Sequence, residues 1–332
     1  MSDRDLLLAS IRKAVPKVTF SLGHRKGEFV STGSMSLDHA LGTGGFPRGG
    51  IVEISGPESS GKTVVVHSAL AQYQKLGHLG AYINTETPMI ADYQRALGVD
   101  LDKLITPDSE EPLCGEQYLD VAMMCAADPQ VGLVVIDSIA ACLPKAELEG
   151  DMEDQHVGLQ ARMTSKFLRK VNGILSHSGN TLLLVNQLRS KIGFVLGNPE
   201  ETPCGRALKF YCGQRVSIRR GETVKSRGLT IGMNVKNTVI KNKYAAPYGK
   251  GEFVLIYGKG IDSAREVLDL AVRGDIVTKA GNWYSFEGER LAMGYENAAD
   301  KVRESEELKH KILEKLIPYL KEHPETFGKP DE

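Results

Sequence analysis

Residues 51–63 read IVEISGPESSGKT, an apolar run, a loop between Gly56 and Gly61, and then a lysine and a threonine. The last eight residues match GxxxxGK[ST], the pattern of a phosphate-binding loop, without a mismatch. That pattern is informative only between a strand and a helix. Here the apolar run predicts a strand at 51–55, and the residues after the loop predict a helix at 62–76. The sequence therefore predicts a nucleotide-binding protein.

The residue types of this loop suit bound phosphates. Backbone N–H groups of the loop and the helix N-terminus present positive partial charge to them. Lys62 adds a full charge at the β- and γ-phosphates, and the Thr63 hydroxyl is a ligand for Mg²⁺. The residues that we assign to the nucleotide are Gly56, Pro57, Glu58, Ser59, Ser60, Gly61, Lys62 and Thr63.

Further strands and helices are predicted to alternate on both sides of this loop. Continuous apolar runs at 81–84, 133–136 and 181–185 are typical of strands that are buried on both faces. Helical patterns at 116–126 and 159–175 separate them, which favours a parallel α/β sheet. After Arg206 longer β-like stretches follow, at 215–219, 233–240 and 252–257, and these predict an antiparallel extension of the sheet. We expect a smaller, helical unit from residue 262 onward.

Two acidic residues stand at predicted strand ends. Asp137 ends the run LVVI, and Glu86 follows the strand in AYINTE. Open α/β sheets bind their ligands at the carboxyl ends of the strands. There Asp137 can orient the shell of a Mg²⁺ ion, and Glu86 can polarise an attacking water as a general base. Their positions at strand ends are also compatible with Asp137 acting only as a helix cap and with Glu86 having no catalytic role.

Composition excludes several other classes. The chain has 332 residues, 41 Lys+Arg against 42 Asp+Glu, and 41% hydrophobic residues, which suits a globular protein and not a disordered one. No apolar run approaches the roughly 18–20 residues of a membrane helix, and the N-terminus does not resemble a secretory signal. The five cysteines show no CxxC spacing, so zinc and disulfide frameworks are not favoured. We expect a cytoplasmic protein.

The near-zero net charge hides a basic segment. Residues 189–243 contain twelve Lys+Arg and three Glu, a local charge of +9, which leaves −10 for the rest of the chain. Such a segment is the electrostatic signature of a nucleic-acid-binding surface, although a solvated basic face would have the same composition.

Several motifs in a fixed order resemble the RecA family of bacterial recombinases. They are GPESSGKT at 56–63, LVVIDSIAACLPKAELEG at 133–150, GLQAR at 158–162, NQLRSKIGFVLGNPEE at 186–201 and VIKNKYAAPY at 239–248. The resemblance runs from about Ser31 to about Tyr284, roughly three quarters of the chain.

The resemblance implies a fold, a division of the chain and an activity. The fold would be a P-loop ATPase core with a mostly parallel twisted central sheet, a short N-terminal helix and a small C-terminal α/β domain. Residues 1–27 would serve oligomerisation, 28–262 would form the core with two DNA-binding loops, and 263–332 the C-terminal domain. The activity would be DNA-dependent ATP hydrolysis with Mg²⁺ by a homo-oligomeric helical filament. Such filaments on single-stranded DNA pair it with double-stranded DNA and exchange strands in recombination, repair and the SOS response.

The resemblance also assigns roles to individual residues. Glu86 would be the catalytic glutamate, and Gln187 would sense the γ-phosphate. Tyr93 would stack on adenine. Lys241 and Lys243 would reach across a protomer interface to a neighbour's ATP, with Phe210 in the same interface.

Two DNA-binding loops are implied, Glu149–Val157 and Arg189–Arg206. Their basic residues would contact phosphates without reading sequence, and Val157 and Ile192 are apolar residues that could wedge between bases. The glycines of the second loop permit a mobile loop that could order on binding. The residues expected to contact DNA are Val157, Arg162, Arg189, Lys191, Ile192, Gly193 and Arg206.

The sequence departs from the family pattern at three of these places. Glu153 replaces a glycine and makes the first loop acidic, Ile90 replaces an acidic residue near the adenine, and Cys204 replaces a glycine of the second loop. Two other functions stay open: a different RecA-fold motor, such as a helicase or branch-migration factor, and a DNA scaffold that uses ATP only as a switch.

Overall fold

A computed structural model describes residues 3–15, 27–87, 89–151, 158–190, 200, 201, 203–226 and 228–323. The strands among these residues are β1 (Phe29–Val30), β2 (Phe46–Pro47), β3 (Ile51–Gly56), β4 (Leu79–Asn84), β5 (Leu104–Ile105), β6 (Val131–Asp137), β7 (Thr181–Gln187), β8 (Arg189–Ser190), β9 (Glu200–Glu201), β10 (Gln214–Ser226), β11 (Leu229–Asn242), β12 (Lys250–Ile256), β13 (Gly260–Ile261), β14 (Val277–Ala280), β15 (Trp283–Phe286) and β16 (Glu289–Met293). The α-helices are α1 (Asp3–Ala14), α2 (Met35–Leu41), α3 (Lys62–Lys75), α4 (Ala91–Ala96), α5 (Gly115–Ala127), α6 (Lys145–Leu148), α7 (Leu159–Ser178), α8 (Gly205–Tyr211), α9 (Ser263–Arg273), α10 (Tyr295–Glu304) and α11 (Glu306–Glu322). No described helix is both long enough and apolar enough to span a membrane.

The main sheet has the strand order β13-β12-β11-β10-β3-β7-β6-β4-β5. From β10 to β5 every neighbouring pair is parallel, and from β10 to β13 every pair is antiparallel. This arrangement confirms the predicted α/β fold with its mostly parallel sheet and its antiparallel extension. Strand β3 lies between β7 and β10, so the loop that follows it leaves the middle of the sheet.

Alternate residues of the central strands supply two hydrophobic cores. On β7, Leu183 and Val185 pack on the face covered by α2 and α3, while Leu182 and Leu184 pack on the face covered by α5, α7 and α8. Because successive side chains point to opposite faces, a strand covered by helices on both sides must be apolar throughout. That requirement explains why the central strands were visible in the sequence as continuous apolar runs.

The C-terminal region is not the helical unit that the sequence pattern predicts, but the small α/β unit that the resemblance implies. Between α9 and α10 it contains a three-stranded antiparallel sheet, β14-β15-β16. The two-residue turn between β15 and β16 is formed by Glu287 and Gly288, whose φ angles are 53° and 84°. Positive φ at both positions matches the right-handed twist of hairpin strands. Together with α9, α10 and α11 the sheet encloses a third core, which includes Ile312, Leu316 and Leu320 from the predicted last helix.

A buried carboxyl group joins this region to the core. Glu266 on α9 is 3% exposed; it accepts a hydrogen bond from the Ser34 hydroxyl at 2.5 Å and one from the backbone N–H of Ser36 at 3.3 Å. Burial, with the nearby Asp38 charge adding to it, raises the pKa of Glu266 from 4.5 to about 8. The contact between α2 and α9 is therefore made by a carboxyl group that is protonated at neutral pH.

Candidate functional site

The loop after β3 has the backbone of a tight phosphate cradle. Ser59 and Gly61 have φ angles of 55° and 97°, in the left-handed region, and Gly61 directly precedes α3 with no side-chain cap on that helix. A Cβ atom on Gly56 would lie 2.1 Å from the carbonyl oxygen of Ile218 in β10. Glycine at position 56 therefore lets the neighbouring strand approach the start of the loop.

Lys62 lies over this loop. Its Nζ donates to the carbonyl oxygens of Gly56 and Pro57, at 3.0 and 2.7 Å. Burial lowers the pKa of the Lys62 ammonium, and the charges of Asp137, Glu86 and Glu58 oppose that shift. A partly desolvated ammonium that is held by carbonyl oxygens gains from pairing with an anionic ligand.

Asp137 faces Thr63 across the loop. Its Oδ2 atom accepts hydrogen bonds from the Thr63 hydroxyl at 3.3 Å and from the Tyr82 hydroxyl at 2.9 Å. Asp137 is 7% exposed, and burial raises the pKa of its carboxyl while the bond from Tyr82 opposes the rise. The pKa of Tyr82 is raised by burial and by the Asp137 charge, so its hydroxyl stays protonated and acts as the donor.

Glu86 meets Gln187 and Ser138 at the same edge of the sheet. Its Oε1 atom accepts from Gln187 Nε2 at 2.8 Å and from the Ser138 hydroxyl at 2.6 Å. Among the described residues no hydrogen bond reaches Oε2. These three side chains follow or end strands β4, β7 and β6, which are parallel, so their carboxyl ends meet. The fold thus holds a carboxylate, an amide and a hydroxyl in one contact.

A second set of polar side chains lies behind the loop. His67 on α3 is fully buried; its Nδ1 lies 2.8 Å from the Thr63 carbonyl oxygen, which only a donor can pair with, and its Nε2 lies 3.3 Å from Gln94 Nε2. Its ring lies 4.7 Å from the ring of Tyr82. Burial lowers the pKa of His67, which favours the neutral ring. Gln94 follows Tyr93 on α4, and Tyr93 packs against the core with its side chain half-buried.

The sequence alone did not indicate that Tyr82 contacts Asp137 or that His67 contacts the backbone of Thr63. Tyr82 carried a usable signal, because a tyrosine in a buried strand needs a hydrogen-bond partner for its hydroxyl. His67 offered none, since a histidine in an apolar helical pattern is an ordinary core residue.

The donor set fits a nucleotide with Mg²⁺. The Ser60 hydroxyl is buried and, within the part of the chain that the structure describes, has no hydrogen-bond partner. Thr63 and Asp137 present oxygen atoms, which hard divalent cations prefer. The site therefore offers a polar group in need of a partner, an ammonium, a hydroxyl ligand from Thr63 and a carboxylate that can orient the hydration shell of the ion.

Lys241 and Lys243 lie at the opposite ends of the central strands from the phosphate loop. Gln214 of β10 pairs with Val52 of β3 and with Asn242 of β11, so the lysines are level with the start of β3. The phosphate loop follows the end of β3, four residues and about 13 Å further along the strand. Lys241 Nζ donates to the carbonyl oxygens of Lys209 and Phe210, at 2.6 and 3.2 Å. The Phe210 side chain is 71% exposed beside this contact.

Two of the residues predicted to bind DNA meet in a shallow groove. Arg162 on α7 and Arg206 on α8 line it together with Arg169 and Ser165, two residues that no sequence motif marked, and its volume is about 340 Å³. All three arginines are exposed. Arg169 could have been predicted from its spacing, because it lies two helical turns after Arg162 and therefore on the same face of the helix.

The second predicted DNA loop is shorter than expected. Gly205 and Arg206 belong to α8, so the loop ends before them. The residue that precedes the helix, Cys204, has a left-handed backbone conformation with a φ angle of 74°. Arg189 and Ser190 pair antiparallel with Glu201 and Glu200, which closes the loop at its base. The other residues predicted to contact DNA lie outside the described residues, namely Val157, Lys191, Ile192 and Gly193, and so does Glu153.

Comparison with known proteins gives consistent matches along the chain. A sequence model of the RecA N-terminal domain matches residues 8–262, and one of the RecA C-terminal domain matches residues 265–321. The Protein RecA of Salinispora tropica is 46% identical over 320 residues, which are 94% of this chain and 91% of that protein. The Protein RecA of Staphylococcus aureus (strain Newman) is 46% identical over 303 residues, 91% of this chain and 86% of that protein.

Proposed function

The chain belongs to the RecA family, and we propose that it is a DNA-dependent ATPase that carries out homologous recombination and DNA repair. It would bind ATP with Mg²⁺, assemble as a helical filament on single-stranded DNA, and pair that strand with a homologous duplex. Work on chromosomal DNA would place it in the cytoplasm, and its filament would also report DNA damage in the SOS response.

One observation carries the ATPase assignment: Glu86 contacts Gln187 at the carboxyl ends of the parallel strands, where β6 ends at Asp137 and α3 begins at Lys62. Glu86 Oε2 would accept the proton of the attacking water, since Oε1 is held by Gln187 and Ser138. Lys62 would stabilise charge on the γ-phosphate, and Mg²⁺ bound by Thr63, with its hydration shell oriented by Asp137, would neutralise the phosphate oxygens. Because Gln187 also leads into β8, its bond to Glu86 connects the hydrolytic carboxylate with the second DNA loop.

The groove of Arg162, Arg169 and Arg206 supports DNA binding of a particular kind. Guanidinium groups on two helix surfaces pair with phosphates, which gives binding that depends on salt and not on sequence. A recombinase needs such binding because base pairing must supply the specificity.

The position of Lys241 and Lys243 supports a shared active site. About 13 Å of strand and the loop separate them from their own Lys62, so they would serve the ATP of the next protomer. A head-to-tail contact of this kind repeats without closing when it includes a rise, and a helical filament results.

The deciding experiment is ATP hydrolysis with and without single-stranded DNA, followed by strand exchange. We expect hydrolysis that DNA stimulates, exchange of a homologous strand, and neither activity in Lys62→Ala. Stimulated hydrolysis without exchange would identify a scaffold. Closed rings instead of open filaments in electron micrographs with DNA and an ATP analogue would identify another motor of this fold.

A further inference from the structure

We propose that Tyr82 is a positioning residue for Mg²⁺ at this site: its hydroxyl holds the Asp137 carboxylate in the orientation that faces Thr63. The inference rests on the proposed nucleotide site and adds a residue that the phosphate-loop motif does not contain. Tyr82 lies on β4, one strand away from Asp137 on β6, and its hydroxyl is the nearer of the two donors to that carboxylate.

The two donors bind the same carboxylate oxygen. Thr63 and Tyr82 both donate to Oδ2 of Asp137, and among the described residues no hydrogen bond reaches Oδ1. The carboxylate is therefore held on one side by the protein and has its other oxygen available to the hydration shell of a cation. Removing the Tyr82 hydroxyl would leave Thr63 as the single donor, at the longer distance of 3.3 Å.

His67 fixes the tyrosine that makes this bond. Its ring lies 4.7 Å from the Tyr82 ring at an angle of 60°, and its Nδ1 is bonded to the carbonyl oxygen of Thr63. One buried side chain thus contacts both residues that donate to Asp137. With Tyr82 3% exposed and His67 fully buried, the tyrosine ring has little freedom to turn away.

The role has a physical reason. A buried carboxylate loses hydration and gains from each donor that replaces it, so a carboxylate with one donor fewer is less well held in its ionised, cation-facing state. Groups that orient the ligands of a metal typically change its affinity by about 10- to 100-fold when removed. We therefore expect Tyr82→Phe to lower the affinity of the nucleotide site for Mg²⁺ by about tenfold, while the phosphate loop is unaltered.

The test measures binding of a fluorescent ATP analogue to the full-length protein across a Mg²⁺ titration and in EDTA. Tyr73→Phe is the matched control, because Tyr73 is also a buried tyrosine, and its hydroxyl is bonded to Thr181, away from the site. We expect Tyr82→Phe to raise the half-saturating Mg²⁺ concentration by about tenfold and to leave the affinity in EDTA unchanged. Tyr73→Phe should leave both values unchanged.

Two results would overturn the proposal: an unaltered Mg²⁺ titration for Tyr82→Phe, or an equal loss of affinity with and without Mg²⁺. A shift of the titration in both tyrosine variants would do the same, because it would reflect a general loss of stability. Failure of the wild-type protein to bind the analogue would refute the nucleotide site itself and is distinguishable from each of these results.

Discussion

Gln187 Nε2 donates a hydrogen bond of 2.8 Å to Glu86 Oε1, and so joins the end of β7 to the residues that follow β4 across the intervening strand β6. The bond links two side chains that are 101 residues apart in the chain. Strand β8 begins two residues after Gln187, so one side chain separates that strand from Glu86. Under the proposed function, this bond would connect ATP hydrolysis with the second DNA loop.

Glu86→Gln should remove hydrolysis and keep nucleotide binding. The amide retains the size of the side chain but cannot accept a proton from water, and a general base typically contributes about 10²–10⁴ in rate. The measurement is DNA-stimulated turnover beside the affinity for a fluorescent ATP analogue. Glu304→Gln, an exposed residue at the end of α10, should leave both unchanged. Turnover within a factor of about three of wild type would show that Glu86 is not the base.

Gly56→Ala should destabilise the protein and weaken nucleotide binding. The new Cβ would lie 2.1 Å from the Ile218 carbonyl oxygen, so β3 and β10 must separate. Forced contacts in a packed region typically cost about 1–3 kcal/mol. Gly173→Ala is the matched control, because a Cβ at that position of α7 would meet no atom within 4 Å beyond its chain neighbours and its own helix backbone, and it should stabilise by about 0.5–1 kcal/mol. Urea denaturation measures both changes, and equal stability of the two variants would contradict the clash.

Arg162→Ala and Arg169→Ala should weaken binding to single-stranded DNA of any sequence. Each lost phosphate contact should reduce the slope of log K against log salt concentration by about one. Lys75→Ala is the control, since Lys75 is an exposed residue at the C-terminal end of α3, far along that helix from the phosphate loop. Titrations at several salt concentrations give the slopes. A loss of affinity confined to particular sequences would mean that the groove contacts bases instead.

Mixing two inactive variants should restore hydrolysis. Lys62→Ala keeps the lysines, and the double variant Lys241→Ala/Lys243→Ala keeps the phosphate loop. In an equal, random head-to-tail mixture about a quarter of the interfaces would join one intact loop to one intact lysine pair. The rate of ATP hydrolysis on DNA should therefore exceed that of either variant alone. A mixture that co-assembles on DNA yet stays inactive would place the lysines in another role.

Stability should decrease with rising pH because of Glu266. Its folded pKa of about 8 lies above the ordinary value of 4.5, so between these values the folded state holds a proton that the unfolded state has released. The free energy of unfolding then falls by up to about 1.4 kcal/mol per pH unit in that window. Glu266→Gln keeps a neutral acceptor for Ser34 and should remove this part of the slope. Urea denaturation at pH 5 to 8 tests it, and identical slopes for both proteins would exclude Glu266 as the cause.

The sequence predicted the fold and the neighbourhood of the site because both depend on strand ends. Asp137 and Glu86 were tied to apolar runs, and parallel strands bring all such ends to one edge of a sheet. Their positions followed from pattern alone, whereas the roles of the individual side chains stay predictions.

Contacts between distant elements could not be predicted in the same way. The bond from Tyr82 to Asp137 depends on the register of β4 against β6, and that from Lys241 to the end of α8 depends on where that helix packs. The strands β14 to β16 have four or five residues each, too few for their alternation to stand out from the helices around them. Helix α8 was missed because its seven residues lie between a glycine-rich loop and a strand.

Lys241 and Lys243 are level with the start of β3, whereas the phosphate loop follows the end of that strand. The two parts of the proposed shared site therefore face opposite sides of the molecule along the strand direction. In a row of n protomers joined through these two sides, n − 1 junctions would contain both parts, and the protomer at one terminus would always have an incomplete site. Turnover per protomer would then rise as (n − 1)/n, most steeply for the shortest rows, and would level off in long ones. The length of the DNA, and not only its concentration, would set the specific activity.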